Sequence, residues 1–286
     1  MNYRHAFHAG NFADVHKHTT LTLLLRAMGR KDKPFLYLET HAGAGRYDLY
    51  GNDANSSHAS ETGIGRLWTQ DRRPLPPSLA PYLGVVDALN PNGQLRHCPG
   101  SPLVARACLR PMDRMVLLEA RFSEAERLEA TLQAFQQNSQ HMPQVRVGDG
   151  YAALSPWLPP PEKRGIVFID PPFERNDEWK QLLAGLTTAH RCFATGTVMV
   201  WYPLKDHAAV TRFHRSLRES GLRRLLLSEL RVLPEDVGGR FHGSGLLLHN
   251  PPWQLDQEMR TLNQVLVSLL ASESGGRSEV RWLVGE

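Results

Sequence analysis

The sequence has 286 residues, and its hydrophobic and charged fractions, 41% and 22%, are those of an ordinary globular protein with a sizeable core. No apolar run is long enough to span a membrane, which argues against an α-helical membrane protein. The formal net charge is +4, and only six of the 33 Lys and Arg residues are lysines. Because arginine binds phosphate bidentately and stacks on bases, this balance favours a nucleic-acid partner, although a bland basic surface gives the same charge.

Two further features bear on where the protein works. Three cysteines, Cys98, Cys108 and Cys192, are widely spaced and show no metal-binding or redox pattern. The first residues lack the apolar core of a signal peptide. We therefore expect a cytoplasmic protein with reduced thiols.

The first predicted elements are a helix and a strand. A helix is predicted from residue 12 or 13 to about residue 30, because apolar side chains recur along one face at helical spacing. A strand follows over residues 35–39 and leads into Gly43-Ala44-Gly45. A strand that runs into Gly-x-Gly is typical of the first turn of a nucleotide-binding fold, where glycines let the backbone approach a ligand closely.

Residues 48–97 differ in character from the segments around them. They contain clusters of Asn, Ser, Gly and Pro, with two modest helical patterns at 64–68 and 79–89. We interpret this stretch as a small helical insertion after the first strand, and not as a strand–helix–strand crossover.

The remainder of the chain alternates short apolar strands with amphipathic helices, which predicts an α/β protein. Strands are predicted at 115–118, 145–147, 166–169, 195–201, 225–233, 244–249 and 280–284. Helices are predicted at 102–109, 123–137, 152–158, 177–190, 205–220 and 255–270.

Polar residues follow several of these strands directly. His41 and Gly43 follow the first, Glu119 ends the second, and Asp149 follows the third. In an open α/β sheet the carboxyl ends of the strands form the ligand site, and an acid after the second strand usually binds ribose hydroxyls. Asp149 is placed to accept a hydrogen bond from an adenine amine. The alternative is that Glu119 and Asp149 are surface acids and that His41 is a satisfied core histidine.

The glycine turn narrows the ligand class. Asp48 stands where the third glycine of Gly-x-Gly-x-x-Gly would lie, and no Gly-Lys-Ser/Thr loop occurs in the sequence. A mononucleoside cofactor therefore fits better than NAD or ATP.

The strand at 166–169 ends in Asp170-Pro171-Pro172-Phe173, the most informative stretch of the sequence. Two prolines forbid further sheet pairing and hold a carboxylate at the strand tip. The adenine amine is a poor nucleophile because its lone pair is delocalised into the ring. The Asp170 carboxylate and the Pro171 carbonyl can accept its two N–H bonds, while Phe173 stacks on an extruded base. The alternative is a proline-stiffened loop in which Asp170 is a cap and Phe173 only packs.

Two other groups of residues have ordinary explanations. Ser101 followed by Pro102 is the expected N-cap of a helix, which is compatible with a ligand contact. His16 and His18 suggest a metal site, but residues two apart on a helix do not face each other and no carboxylate cluster completes the site. We therefore predict no metal.

The glycine turn, the two acids and Asp-Pro-Pro-Phe, in that order, resemble S-adenosylmethionine-dependent adenine-N6 methyltransferases. The resemblance is closest to the RlmJ family, which methylates one adenine of 23S ribosomal RNA, and it spans essentially the whole chain. The segments that carry it are residues 3–18, residues 33–47, Pro-Gly-Ser-Pro at 99–102, Asp-Pro-Pro-Phe-Glu at 170–174 and Asn-Pro-Pro-Trp at 250–253.

The resemblance implies a Rossmann-like methyltransferase fold with a mostly parallel, seven-stranded sheet and a small helical insertion. Residues 1–47 and 98–286 would form the methyltransferase domain, and residues 48–97 an inserted helical subdomain. Residues 1–17 would form a tail that covers the bound cofactor. A monomer is expected.

The resemblance also implies roles for single residues. Asp170 would be catalytic, with Pro171 and Phe173 beside it, and Tyr3 would contact the RNA together with Phe173. The cofactor, S-adenosylmethionine, would be contacted by His18, His41, Gly43, Ser101, Glu119, Asp149, Gly150 and Asp170. One departure is that Phe173 replaces the usual tyrosine of the motif, so stacking is kept but any role of the hydroxyl is not.

The tetrad alone leaves other substrates open. DNA adenine or a protein amide would suit the same chemistry as 23S ribosomal RNA. A nucleic-acid-binding scaffold without activity is a third possibility, which the intact acids at Glu119, Asp149 and Asp170 oppose.

Overall fold

The structure, a computed structural model, describes residues 7–51, 58–135, 141–234, 241–271 and 275–285. In these ranges the α-helices are α1 (Phe12–Gly29), α2 (Ile64–Trp68), α3 (Ala80–Leu89), α4 (Ser101–Cys108), α5 (Phe122–Ala134), α6 (Leu154–Trp157), α7 (Glu178–Cys192), α8 (His207–Glu219) and α9 (Leu255–Leu270). The strands are β1 (Leu36–Glu39), β2 (Arg46–Asp48), β3 (His97–Pro99), β4 (Arg114–Glu119), β5 (Gln144–Val147), β6 (Gly165–Ile169), β7 (Thr197–Leu204), β8 (Leu225–Arg231), β9 (Gly243–His249) and β10 (Arg277–Val284).

The main sheet has the strand order β10-β8-β9-β7-β6-β1-β4-β5. Strands β5, β4, β1, β6 and β7 run parallel, and β9, β8 and β10 add to them in antiparallel pairs. The chain leaves β1 for β4 on one side and later places β6 on the other, so the strand order reverses at β1. This arrangement confirms the prediction of a Rossmann-like α/β fold, in which the crevice at the reversal point takes the ligand.

The predicted count of seven strands is wrong, because the main sheet described here has eight. The extra strand is the one that the sequence predicts at 280–284, which extends over Arg277–Val284 and pairs with β8. A separate two-stranded ribbon, β2 with β3, was not predicted at all. Each of its strands has three residues, too few to show a periodic pattern.

The predicted insertion begins and ends at this ribbon. It contains α2 and α3, close to the two helical patterns of the sequence. Its buried side chains, including Ile64, Leu67 and Tyr82, belong to the same hydrophobic cluster as those of α1 and α9. The described part of the insertion therefore shares the main core, and its division into a separate subdomain stays a prediction.

Helix α1 runs through the interior, and 15 of its 18 residues are buried. Asn11 caps it, with its side-chain oxygen accepting from the N–H groups of Ala13 and Asp14. The buried His16 ring bonds the hydroxyls of Ser244 at 3.0 Å and Ser228 at 3.1 Å, so its polar atoms are satisfied by β9 and β8. The helix that carries the early polar residues is thus fixed on several sides. Within the described ranges, no helix is both long and apolar enough to cross a membrane.

The burial of the His16 ring leads us to predict that the protein loses stability in acid. Burial lowers the pKa of His16 from 6.5 to about 3, so the folded protein holds the ring neutral. The neutral His16 ring makes its full contribution to the free energy of unfolding above pH 6.5. As the pH falls towards 3, that contribution is lost by at most about 1.4 kcal/mol per pH unit. We expect urea unfolding between pH 6.5 and 4 to show a shallower pH dependence in His16→Gln than in the wild type. The exposed His207→Gln variant should keep the wild-type slope, and equal slopes in all three proteins would contradict the assignment.

Candidate active site

A cavity of about 500 Å³ opens at the carboxyl ends of the parallel strands. Its volume lies within the range usual for small-molecule and cofactor sites. The predicted site residues that line it are His18, His41, Gly43, Ser101, Glu119, Asp149, Gly150, Asp170, Pro171 and Phe173. Tyr3 lies outside the described residues. Among the residues that are described, no three His, Cys, Asp or Glu side chains are grouped to hold a metal ion.

A buried lysine contacts the predicted catalytic carboxylate. Lys17 Nζ lies 2.6 Å from Asp170 Oδ2 and 3.0 Å from Asp14 Oδ1, and its side chain is 4% exposed. It also lies 5.5 Å from the centre of the Trp201 ring. Burial by itself lowers the pKa of Lys17, but the two carboxylates outweigh it and raise the pKa well above the usual value. Lys17 is therefore an ammonium group, and it stabilises Asp170 as a carboxylate.

Sequence reasoning missed this ion pair. Lys17 and Asp170 are 153 residues apart, and nothing local links them. One signal was present, since Asp14 and Lys17 stand three apart on a helix whose other residues are mostly apolar. A charged pair at that spacing on a buried helix indicates a site, but not its third member.

The glycine turn and the acid of β4 are joined directly. Gly43 donates its N–H to Glu119 Oε2 at 2.8 Å, and Arg121 donates its N–H to Oε1 at 2.9 Å. Gly43 has a φ of +64°, and a Cβ there would lie 2.3 Å from the Tyr47 hydroxyl. Only glycine fits this turn, and Glu119 is held at the cavity wall instead of lying free on the surface.

The turn after β5 brings Asp149 and Gly150 to the same wall. Asp149 Oδ1 accepts from the N–H of Tyr151 at 2.8 Å, which fixes the carboxylate at the rim. A Cβ on Gly150 would lie 2.0 Å from the Thr40 carbonyl oxygen, so this backbone approach also requires glycine. His41 packs edge-on against Tyr151, with ring centres 5.1 Å apart. Burial lowers the pKa of His41 to about 4, opposed by Asp149, so a neutral imidazole lines the cavity.

Ser101 does not cap α4 as predicted. Gly100 is the N-cap residue, and Ser101 is the first residue of the helix. Its hydroxyl donates instead to Glu39, whose other oxygen accepts from the Tyr37 hydroxyl at 2.8 Å. The hydroxyl turns inwards because the buried carboxyl group of Glu39 offers it a hydrogen-bond acceptor there.

Glu39 is a second residue that sequence reasoning missed. It reads as the last residue of β1, yet its side chain is fully buried. Burial raises the pKa of Glu39 to about 8, although the hydrogen bonds from Ser101 and Tyr37 favour the charged form. A carboxyl group whose pKa is raised in this way is typical of a functional site, and the Ser101 hydroxyl that bonds it belongs to a residue of the cavity wall.

The predicted stacking residue, Phe173, occupies a strained position. Its φ is +52°, a conformation that bulky residues rarely adopt. Its ring packs edge-on against Trp179 at 4.8 Å and Trp201 at 5.7 Å between ring centres, and it lines the cavity. The packing alternative thus describes its present contacts, while stacking on a base stays a prediction.

The raised pKa of Glu39 predicts that stability falls as the pH rises from about 4.5 towards 8. In the folded protein the Glu39 carboxyl group stays protonated up to about pH 8, whereas the ordinary pKa of a glutamate side chain is 4.5. Between these values the folded state binds more protons than the unfolded state, so stability falls with rising pH by up to about 1.4 kcal/mol per unit. Glu39→Gln should flatten the pH dependence of chemical unfolding from pH 5 to 9. Glu129→Gln, at an exposed position on α5, should not; an unchanged slope in Glu39→Gln would refute the prediction.

Comparison with known proteins agrees with this geometry. The family model described as ribosomal RNA large subunit methyltransferase D, RlmJ, matches residues 32–284. The chain is 41% identical over 286 residues to ribosomal RNA large subunit methyltransferase J of Escherichia coli (strain K12), covering all of both chains. It is 36% identical over 287 residues to the protein of the same name from Haemophilus influenzae, again over the full length of both.

One solved structure is similar over nearly its whole length. The crystal structure of a protein from Legionella pneumophila strain Philadelphia 1 aligns with a TM-score of 0.86 at 36% identity. The alignment covers 96% of this chain and 98% of that protein.

Proposed function

Because the chain belongs to the RlmJ family of ribosomal RNA large subunit methyltransferases, we propose that it methylates the exocyclic N6 amine of an adenine in 23S ribosomal RNA. The methyl donor in this proposal is S-adenosylmethionine. The observation that carries the proposal is the ion-paired Asp170 in the cavity, followed by Pro171 and with Phe173 at the wall. An extruded base is held by hydrogen bonds to its edge and by stacking on an aromatic ring, and these three residues can supply both.

The cavity fits this cofactor on chemical grounds. Glu119 and Asp149 supply carboxylate acceptors, which suit ribose hydroxyls and an adenine amine respectively. Gly148 lines the same wall, and a Cβ there would meet nothing within 4 Å, so the backbone leaves room for a ligand. His18, His41, Gly43, Ser101 and Gly150 complete the proposed cofactor contacts.

The bound cofactor supplies an activated methyl group on a sulfonium centre. The contribution of the protein is then mainly to position the amine in line with that group and to exclude water. Asp170 and the Pro171 carbonyl accept the two N–H bonds of the amine, which directs its lone pair towards the methyl carbon. Phe173 stacks on the base.

Asp170 orients the amine more than it deprotonates it. A carboxylate is a weak base for an amine, and the ammonium of Lys17 at 2.6 Å makes it weaker still. Methyl transfer would leave a positive charge on the amine nitrogen, with the electrons of the broken S–C bond kept by the departing cofactor. The amine proton becomes acidic only then, and it leaves towards Asp170 or water.

Several finer points belong to the same proposal. Tyr3 contacts the RNA, and residues 1–17 cover the cofactor, of which residues 12–17 form the first turns of α1. Residues 48–97 act as an inserted helical subdomain. The protein works as a monomer in the cytoplasm.

The first functional prediction concerns the Asp170 carboxylate. Asp170→Ala should lower methylation by about 10³-fold or more, because an orienting acceptor is lost from the transition state. S-adenosylmethionine should still bind, since the acids at Glu119 and Asp149 are untouched. Methyl incorporation with tritiated cofactor measures the first effect and calorimetry the second. A fully active Asp170→Ala enzyme would rule out the assignment.

The substrate class is a separate prediction. Purified enzyme should methylate protein-free 23S RNA and leave duplex DNA and a glutamine peptide unmodified. Mass spectrometry of digested RNA should show N6-methyladenosine and no other new nucleoside. Equal incorporation into duplex DNA would favour a DNA methyltransferase, and absence of cofactor binding would favour an inactive scaffold.

A further inference from the structure

The inserted segment contacts the helix that carries the catalytic ion pair. The N–H of Ile64, at the start of α2, donates to the Gly10 carbonyl oxygen at 2.7 Å. A Cβ on Gly63 would lie 2.2 Å from that same oxygen, so the two backbones touch. On α3, the Tyr82 ring lies 5.9 Å from the ring of His18. Both insertion helices therefore pack against the beginning of α1 or its early turns.

From Gly10 a continuous line of polar contacts leads to the catalytic carboxylate. The Gly10 N–H donates to Asp14 Oδ2 at 2.9 Å, and this bond is buried. Asp14 Oδ1 pairs with Lys17 at 3.0 Å, and Lys17 pairs with Asp170 at 2.6 Å. These hydrogen bonds and ion pairs connect Ile64 in the insertion to Asp170 in the turn after β6 through consecutive contacts.

The backbone at the start of this line allows little adjustment. Gly10 has a φ of +77°, and a Cβ there would lie 2.7 Å from Ile64 Cγ2. Asn11, the next residue, holds the first turn of α1 through its side-chain cap. Helix α2 is also held at its middle, because Arg66 donates to the Leu270 carbonyl oxygen at 2.7 Å. The insertion is thus anchored at two points of α2, and it meets the start of α1 at a glycine with a positive φ.

We infer that the insertion is a positioning element for the catalytic carboxylate, acting through Gly63, Ile64, Gly10 and Asp14 on the Lys17–Asp170 pair. None of the first four touches the reacting atoms in this scheme. They set the place of the Asp14 carboxylate, which sets the place of the Lys17 ammonium. A shift of a few tenths of an ångström at Gly10 then moves the oxygen that orients the amine, and small misplacements of reacting groups are costly in rate. The inference rests on the proposed function only for its rate measurements.

A matched pair of glycine substitutions tests it. Gly63→Ala places a methyl group against the Gly10 and Asn11 backbone, whereas Gly84→Ala adds one on α3 where nothing lies within 4 Å. We expect kcat on 23S RNA to fall by about tenfold or more in Gly63→Ala, with cofactor affinity and KM for RNA within about threefold. Gly84→Ala should stay within about twofold on every measure. If Gly63→Ala does not fold, Ile64→Ala, which removes the Cγ2 methyl group next to Gly10, takes its place.

A double-mutant cycle separates positioning from a general loss of stability. Asp14→Asn breaks the line one step nearer to the active site. If the insertion acts through Asp14, kcat of the Gly63→Ala and Asp14→Asn double variant should equal that of Asp14→Asn alone. Rate losses that multiply, or a wild-type kcat in Gly63→Ala, would overturn the inference.

A measurement that needs no substrate distinguishes a failure of this inference from a failure of the proposed function. The side-chain ammonium of a buried, paired lysine is observable by nitrogen NMR. The Lys17 signal should shift in Gly63→Ala and stay in place in Gly84→Ala. If the wild-type enzyme does not methylate RNA, the proposed function is wrong. If the Lys17 signal has the same chemical shift in folded Gly63→Ala as in the wild type, the inference is wrong.

Discussion

One buried ammonium group holds this site together. Lys17 lies between Asp14 and Asp170, and burial of any of these charges alone would cost several kcal/mol. The pairs offset that cost only while all three stay in contact. Two of the charges belong to α1 and the third to the turn after β6, so the helix has to pass close behind the strand ends. This position agrees with the burial of 15 of the 18 residues of α1 and with the contacts of His16 to β8 and β9.

The sheet arranges the remaining chemistry around this pair. Strand order reverses at β1, so the turns after β4 and β5 lie on one side of the crevice and the turn after β6 on the other. Glu119 and Asp149 therefore form one wall of the cavity, while Asp170 faces them with the aromatic side chains of Phe173 and Trp201. In the proposed function, the first wall binds the methyl donor and the second binds the acceptor base. The glycines of the two turns let the backbone come close enough to complete the first wall.

Local patterns predicted a large part of this correctly. The strand ends, the two insertion helices and the last strand all follow from short-range periodicity, and the α/β fold follows from their order. The errors have identifiable causes. Ser101 looks like a helix cap, but the buried Glu39 takes its hydroxyl. The count of seven strands came from the resemblance, and the edge strand β10 makes eight. The ribbon of β2 and β3 is too short to show alternation.

The sequence by itself determined which residues stand at the strand tips, because a residue that directly follows a strand is carried to its end by chain connectivity alone. It thereby placed Asp170, Glu119 and Asp149 at one edge of the sheet. The tertiary structure alone decided what those residues contact. The partner of Asp170 comes from 153 residues away, and Glu39 bonds the hydroxyl of Ser101 on α4. The insertion contacts Gly10 through the N–H of Ile64, 54 positions along the chain. Charge pairing and burial depend on distances through space, whereas the periodicity of a sequence gives information only about residues that are close together in the chain.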